Sequence, residues 1–130
     1  MKKTARTLFL LLVATGVLTQ IAAASGTWRI VPSPNIGNGG LGNVLSGLTE
    51  LTSSDILSVG FLPLHGNGPQ RTLAEHWDGS QWSIVPSPND RSMYDVLNGV
   101  TAVSTNDVWA VGTFNPGSGS DKTLVEHRTP

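Results

Sequence analysis

The chain of 130 residues contains no cysteine. That excludes a disulfide framework, a thiolate nucleophile and any Cys-based metal site. Charge is thin: 13% of residues are charged and the formal net charge is −1. Nucleic-acid surfaces need a clustered basic patch, which this chain does not offer. Aromatic residues make up only 6%. Beyond residue 25 no apolar 3.6-residue period is sustained, so almost no helix is expected. Phosphate-cradling G-x-x-x-x-G-K, a nucleophile elbow and H-E-x-x-H are all missing. Loops such as Asn35-Ile36-Gly37-Asn38 and Asn67-Gly68-Pro69 lack the several carboxylates that calcium needs. No metal and no cofactor is expected.

What is present begins with a separate segment over 1–24. Lys2, Lys3 and Arg6 precede an apolar run from Leu8 to Val13, continued by Val17, Leu18 and Ile21. Ala22-Ala23-Ala24 supplies the small-residue cleavage pattern of a secretory signal. Thr15, Gly16, Thr19 and Gln20 interrupt the run, leaving it short for a span of about 20 residues. Export, with only transient membrane contact, is favoured over a retained anchor. Cleavage before Ser25 leaves five basic and nine acidic residues, a net charge of −4.

The mature part, 25–130, repeats itself. Trp28-Arg29-Ile30-Val31-Pro32-Ser33-Pro34-Asn35 returns as Trp82-Ser83-Ile84-Val85-Pro86-Ser87-Pro88-Asn89, with one substitution in the octet. Leu45 to Thr49 matches Leu97 to Thr101, and Ser53 to Gly60 matches Thr105 to Gly112. Thr72-Leu73-Ala74-Glu75-His76 matches Thr123-Leu124-Val125-Glu126-His127. The offsets are 54, 52, 52 and 51 residues. A period of about 50 residues points to a propeller, solenoid or array. Length differences fall only in Gly/Asn/Ser-rich segments, which marks those as loops.

The matched segments are short, rich in Val, Ile, Leu, Thr and Trp, and bounded by turn residues, the signature of strands. Strands are expected over 45–51, 55–61, 71–77 and 81–86, then over 97–103, 107–113 and 122–127, with an outer strand at 28–35. In 107–113, Val108 and Ala110 face one way and Trp109 and Val111 the other, so burial on both faces is expected. Pro32, Pro34, Pro86 and Pro88 cannot donate to a ladder and suit an edge. Asp78-Gly79 reads as a tight hairpin turn.

Together, W-x-I-V-P-S-P-N, L-x-G-V-x-A-V-S, N-D-V-W-A-V-G and T-L-x-E-H-W-D-G resemble the repeat of secreted bacterial β-propeller proteins, loosely Kelch-like. The resemblance covers 28–130. It departs at Ile56-Leu57-Ser58, where the Trp is missing, and at Arg128, where Trp is expected. It implies an all-β chain of two four-stranded antiparallel propeller blades: a lone strand (28–35), a full blade (45–89) and a partial blade (97–127). Two blades do not close a ring, since closed propellers have typically 4–8. Three outcomes stay open. The chain assembles into a ring of two to four copies, with 28–35 pairing against 122–127 of a neighbour. Alternatively it is a fragment of a longer or decayed array, as Arg128-Thr129-Pro130 suggests. Least favoured is a closed two-repeat monomer.

Glu75-His76 and Glu126-His127 invite an acid–base reading, but strand neighbours point to opposite faces. Residues repeated in every unit are better read as packing or turn residues. Asp55 and Asp107 fit Asx-type turns. Trp28, Trp82, Trp109, Gly60, Gly112, His76 and His127 complete the structural motif, with Trp28 and Trp82 expected between units. Weak ligand-binding candidates are Trp77, His65, Asn67 and Tyr94. The resulting expectation is a secreted, non-enzymatic module binding carbohydrate or a surface protein through loops 36–44, 62–71, 90–96 and 114–121. The alternative is a structural repeat piece with no ligand, and a hydrolase ranks last.

Overall fold

A computed structural model describes residues 26–37, 42–66, 68–89 and 93–130. The segment expected to be a leader, 1–24, lies outside them, as do Asn38 and Asn67. The described chain is all-β, with seven strands: β1 (Val44–Thr52), β2 (Asp55–Pro63), β3 (Gln70–Trp77), β4 (Trp82–Val85), β5 (Tyr94–Ser104), β6 (Asp107–Asn115) and β7 (Lys122–Arg128). They run in the order β1-β2-β3-β5-β6-β7, with β4 also on β3, and the sheet does not close.

The link between β3 and β5 is a single parallel pair, Gln70 with Tyr94. On either side of it lies an antiparallel meander. The first unit is β1–β4 and the second is β5–β7. Each repeats the other's irregularities. The register slips between Leu45 and Gly47 and again between Leu97 and Gly99. At each slip the preceding carbonyl, of Val44 or Val96, leans onto the neighbouring strand. There a Cβ on Gly60 or Gly112 would stand 1.8 Å from that oxygen, so only glycine fits.

The units meet face to face. A Cβ on Gly47 would lie 3.1 Å from Gly99 Cα, so backbone approaches backbone here. The Ala102 amide donates to Thr49 Oγ1 at 3.1 Å. Val59 from the first unit clusters with Leu97 and Ala110 from the second, flanked by Ala74, Val100 and Leu124. Burying these apolar faces against each other supplies the core, since neither unit has helices to cover it.

The strand buried on both faces is β2, where Leu57, Ser58, Val59 and Gly60 are all buried. Ser58 Oγ satisfies itself on the Gly47 carbonyl at 2.9 Å. This corrects the expectation for 107–113. In β6, Val108 and Ala110 are buried, while Trp109 and Val111 stand exposed. The alternation is right, but among the described residues nothing stacks on the second face.

The first octet differs from expectation too. No strand forms over 26–37. Trp28 and Ile30 are fully exposed rather than packed between units. A strand exists only where a neighbour accepts its amides and carbonyls, and no β3 equivalent among the described residues lies beside this copy. The second octet has one. Its Trp82–Val85 pair with Ala74–Trp77, and pairing stops before Pro86, which has no N–H. Trp82 packs not between units but against Trp77, ring centroids 5.8 Å apart.

Candidate functional site

Chain direction decides where the loops go. β1, β3, β5 and β7 start, and β2 and β6 finish, at the same end of the stack. The described residues of 64–69 and 116–121, with Met93, therefore share that end with Gly42 and Asn43 before β1. The short turns 53–54, 78–81 and 105–106 occupy the opposite end. These short turns are built from local side-chain bonds. Asp78 Oδ1 accepts the Ser80 amide, the Ser80 hydroxyl and the Gln81 amide at 2.7–2.9 Å, with Gly79 at φ 95°. Those donors hold the Asp78 carboxyl down from 3.8 to about 2, the Gln81 amide contributing most.

At the loop end lies a cavity of about 280 Å³, lined by Gln70, Tyr94, Val96, Thr113, Phe114, Asn115 and Asp121. Backbone bonds knit its floor. The Gln70 amide donates to the Met93 carbonyl at 2.9 Å, and the Met93 amide to the Asn115 carbonyl at 2.8 Å. Asn115 Nδ2 donates to Asp121 Oδ1 at 2.7 Å, while Asn115 Oδ1 takes the Gly117 amide at 2.9 Å. Lys122 Nζ sits 6.0 Å from the centre of the Phe114 ring. Next in sequence to Gln70 and Tyr94, Arg71 reaches the buried Asp95 at 3.7 Å and ties one unit to the other. The wall thus combines two aromatic side chains with amide and carboxylate groups, a set able to hold a polyhydroxylated ligand.

Of the four weak candidates, Tyr94 lines this cavity. His65 is exposed in the 64–69 turn and does not line it. Asn67 is outside the described residues. Trp77 ends the strand that Gln70 begins, about 23 Å away at 3.3 Å per residue. The candidates therefore do not form one site. Gln70, Asn115 and Asp121 were not singled out in sequence. Their signal was weak: they sit where the repeat changes length, so alignment of the copies gives them no counterpart.

The repeated carboxylates serve structure. Asp55 and Asp107 do not make the expected Asx turns. Asp55 Oδ1 bonds His76 Nε2 at 2.6 Å, and Asp107 Oδ1 bonds His127 Nε2 at 2.8 Å. Each imidazole outreaches the local amides because it sits across the ladder from the start of β2 or β6. The His127 ring also stacks on Trp109 at 3.8 Å and 13°. Glu75 and Glu126 face the other way and accept from octet serines: Ser33 Oγ bonds Glu75 Oε2, and Ser87 Oγ bonds Glu126 Oε2 at 2.8 Å. Burial pushes the Glu126 carboxyl up; the Ser87 bond opposes this and the Asp95 charge adds to it.

A second, larger cleft of about 540 Å³ opens between the units. It is mostly apolar, and residues Val85–Asn89 cross it. Pro88 and Asn89 hold to the first unit, whose Thr72 donates its hydroxyl to Pro88 O at 2.9 Å and its amide to Asn89 Oδ1 at 3.0 Å. Ser87, just before them, holds to the second. The octet is thus an outer strand for one unit and a clasp onto the next. Among the described residues no cluster of three or more His, Asp or Glu could hold a metal ion. Comparison with protein-family models, curated proteins and solved structures found no match for the chain.

Proposed function

We propose that this chain is a pair of propeller-type blades, exported from the cell, that binds carbohydrate without catalysing a reaction. The first blade would be β1–β4. The second would be β5–β7, awaiting an outer strand. Face-to-face stacking of two meanders, clasped by a Pro-Ser-Pro-Asn segment, supports the blade reading. The observation that carries the binding reading is the cavity at the loop end, where Tyr94 and Phe114 meet Gln70, Asn115 and Asp121. Aromatic faces suit the apolar side of a sugar ring, and the amides and carboxylate suit its hydroxyls. Each Glu accepts from a Ser and each imidazole bonds an Asp, but among the described residues no hydroxyl is bonded to either imidazole, so the nucleophile–base contact a hydrolase needs is not formed.

A glycan array probed with the full chain tests this. Binding that Tyr94→Ala weakens at least tenfold, and Trp77→Ala leaves unchanged, is the expected result. A folded chain that binds no glycan would remove the carbohydrate reading in favour of a surface protein or a purely structural repeat.

A further inference from the structure

The sheet faces and the strand edge that join the first unit to the second each have an unused equivalent elsewhere on the molecule. Within the chain, the face carrying Thr49, Leu57 and Val59 covers the face carrying Leu97, Val100 and Ala110. The corresponding open faces carry Trp109, Val111 and Val125 on the second unit, and Leu45 and Leu48 on the first; all five are exposed. Within the chain, β3 receives Trp82–Val85 along its edge, and Thr72 receives Pro88 and Asn89. Among the described residues the matching edge of β7 is bare, with Thr123 exposed. The matching segment, Trp28–Val31, joins no strand of the sheet, although Ser33 beyond it already clasps Glu75 as Ser87 clasps Glu126.

We propose that a second copy of this chain docks head to tail, in the register of the internal junction. Trp28–Val31 of one copy becomes the outer strand on β7 of the next, and the Trp109 face of that next copy covers the Leu45 face of the first. This rests on the blade reading above. The internal pairs Ala74 with Val85 and Trp77 with Trp82 set the alignment. Val31 then lies opposite Val125, and Trp28 opposite Arg128. Arg128 replaces the Trp of the first unit, so a guanidinium over an indole takes the place of Trp77 against Trp82. Asn35 meets Thr123 as Asn89 meets Thr72. A second copy is the occupant because one chain carries both halves of the contact, each the repeat equivalent of a half that meets its partner inside the chain. Such a contact is heterologous and closes into a ring where the rotation allows. Rings of 4–8 blades correspond to two to four copies.

The absence of cysteine makes the test clean. Strand pairs opposite one another fall within disulfide reach. In the full chain, Val31→Cys with Val125→Cys should form covalent links between copies on oxidation. Trp28→Cys with Val125→Cys, three residues out of register, should not. Val111→Lys places a charge on the open face of a residue that is already solvent-exposed. It should reduce a multi-copy mass in light scattering to a single copy while leaving the circular dichroism of the strands unchanged. A single-copy mass at the highest soluble concentration, or no link between copies in the Val31→Cys, Val125→Cys variant, would overturn the proposal. Ala74→Cys with Val85→Cys separates the two ideas. If this internal pair links and the other does not, copies do not dock but the blade stands. If neither links, the blade reading itself fails.

Discussion

The two units of this molecule share a pattern but not an environment. Val59 and Val111 occupy the same place in the repeat, yet Val59 is 4% exposed and Val111 is 50%. Leu97 is 0% exposed and its counterpart Leu45 is 43%. Local geometry is nearly identical in the two, down to the bulge and the His–Asp bond. Burial therefore comes from rank in the stack and not from the repeat sequence. This is what a nearly one-dimensional array does: each unit contributes a fixed fold, and interfaces decide which faces are dry.

The largest expected effect tests the part the units share. Gly60→Ala and Gly112→Ala each drive a Cβ to 1.8 Å from a carbonyl oxygen, and backbone, unlike a flexible side chain, cannot swing away. Each should lower stability by about 3 kcal/mol or more, at or beyond the upper end of ordinary overpacking. Denaturant titration of the two variants checks this. Near-equal losses would show that the bulge is an autonomous feature of each unit. A much smaller loss at Gly112 would show that the second unit has looser internal packing.

The next effect tests the part they do not share. Val59→Ala removes two buried methyl groups and should cost about 2 kcal/mol. Val111→Ala removes the same atoms from water and should stay within about 0.5 kcal/mol at concentrations that keep the chain single-copy. The contrast sharpens with concentration. If copies dock, the cost of Val111→Ala climbs toward that of Val59→Ala as the faces close. Identical costs at high dilution would mean the second unit's outer face is already covered.

Much of this was legible beforehand. Strands anchored on matched segments, such as 55–61 against the observed Asp55–Pro63, were recoverable because a repeat aligns the chain with itself. The turn at Asp78 and the end of pairing before Pro86 followed from backbone chemistry alone, whereas the carbonyls that press on Gly60 and Gly112 were not foreseen and Pro32 and Pro34 edge no strand. What escaped was everything that depends on a neighbour. Trp28 and Trp82 lie in almost identical octets, but only one has a strand to join. Trp109 and Leu57 alternate alike, and only Leu57 is covered. The cavity residues Gln70, Asn115 and Asp121 fall within the expected binding loops 62–71 and 114–121, but none was picked out singly. They lie where the two copies differ in length, so self-alignment is silent there. The Asp55 and Asp107 partners were misread because an imidazole across the ladder competed successfully with the nearby amides.

The smallest effect separates the units by acid. Glu126 is raised above its ordinary 4.5 by burial, whereas Asp78 is lowered from 3.8 to about 2 by its turn donors. The signs oppose. A carboxyl raised in the folded state binds more protons there than when unfolded, so its contribution falls as pH rises from 4.5 through the folded value. A carboxyl lowered in the folded state contributes fully above 3.8, and that contribution is lost as pH falls toward 2. Glu126→Gln keeps an oxygen for Ser87 and removes the charge, so it should match the parent at pH 4 and be the more stable at pH 7. Asp78→Asn keeps the acceptor and removes the titration, so it should lose less than the parent between pH 4 and 2. Denaturation midpoints of parent and variants at pH 2, 4 and 7 read both differences, with titrations elsewhere cancelling between variant and parent. Both should be small, because Glu126 is partly exposed and Asp78 exposed, and solvent screens them. A Glu126→Gln midpoint below the parent at pH 7 would mean that its charge is held by a partner, and that the clasp from Ser87 carries more of the junction than the apolar faces do.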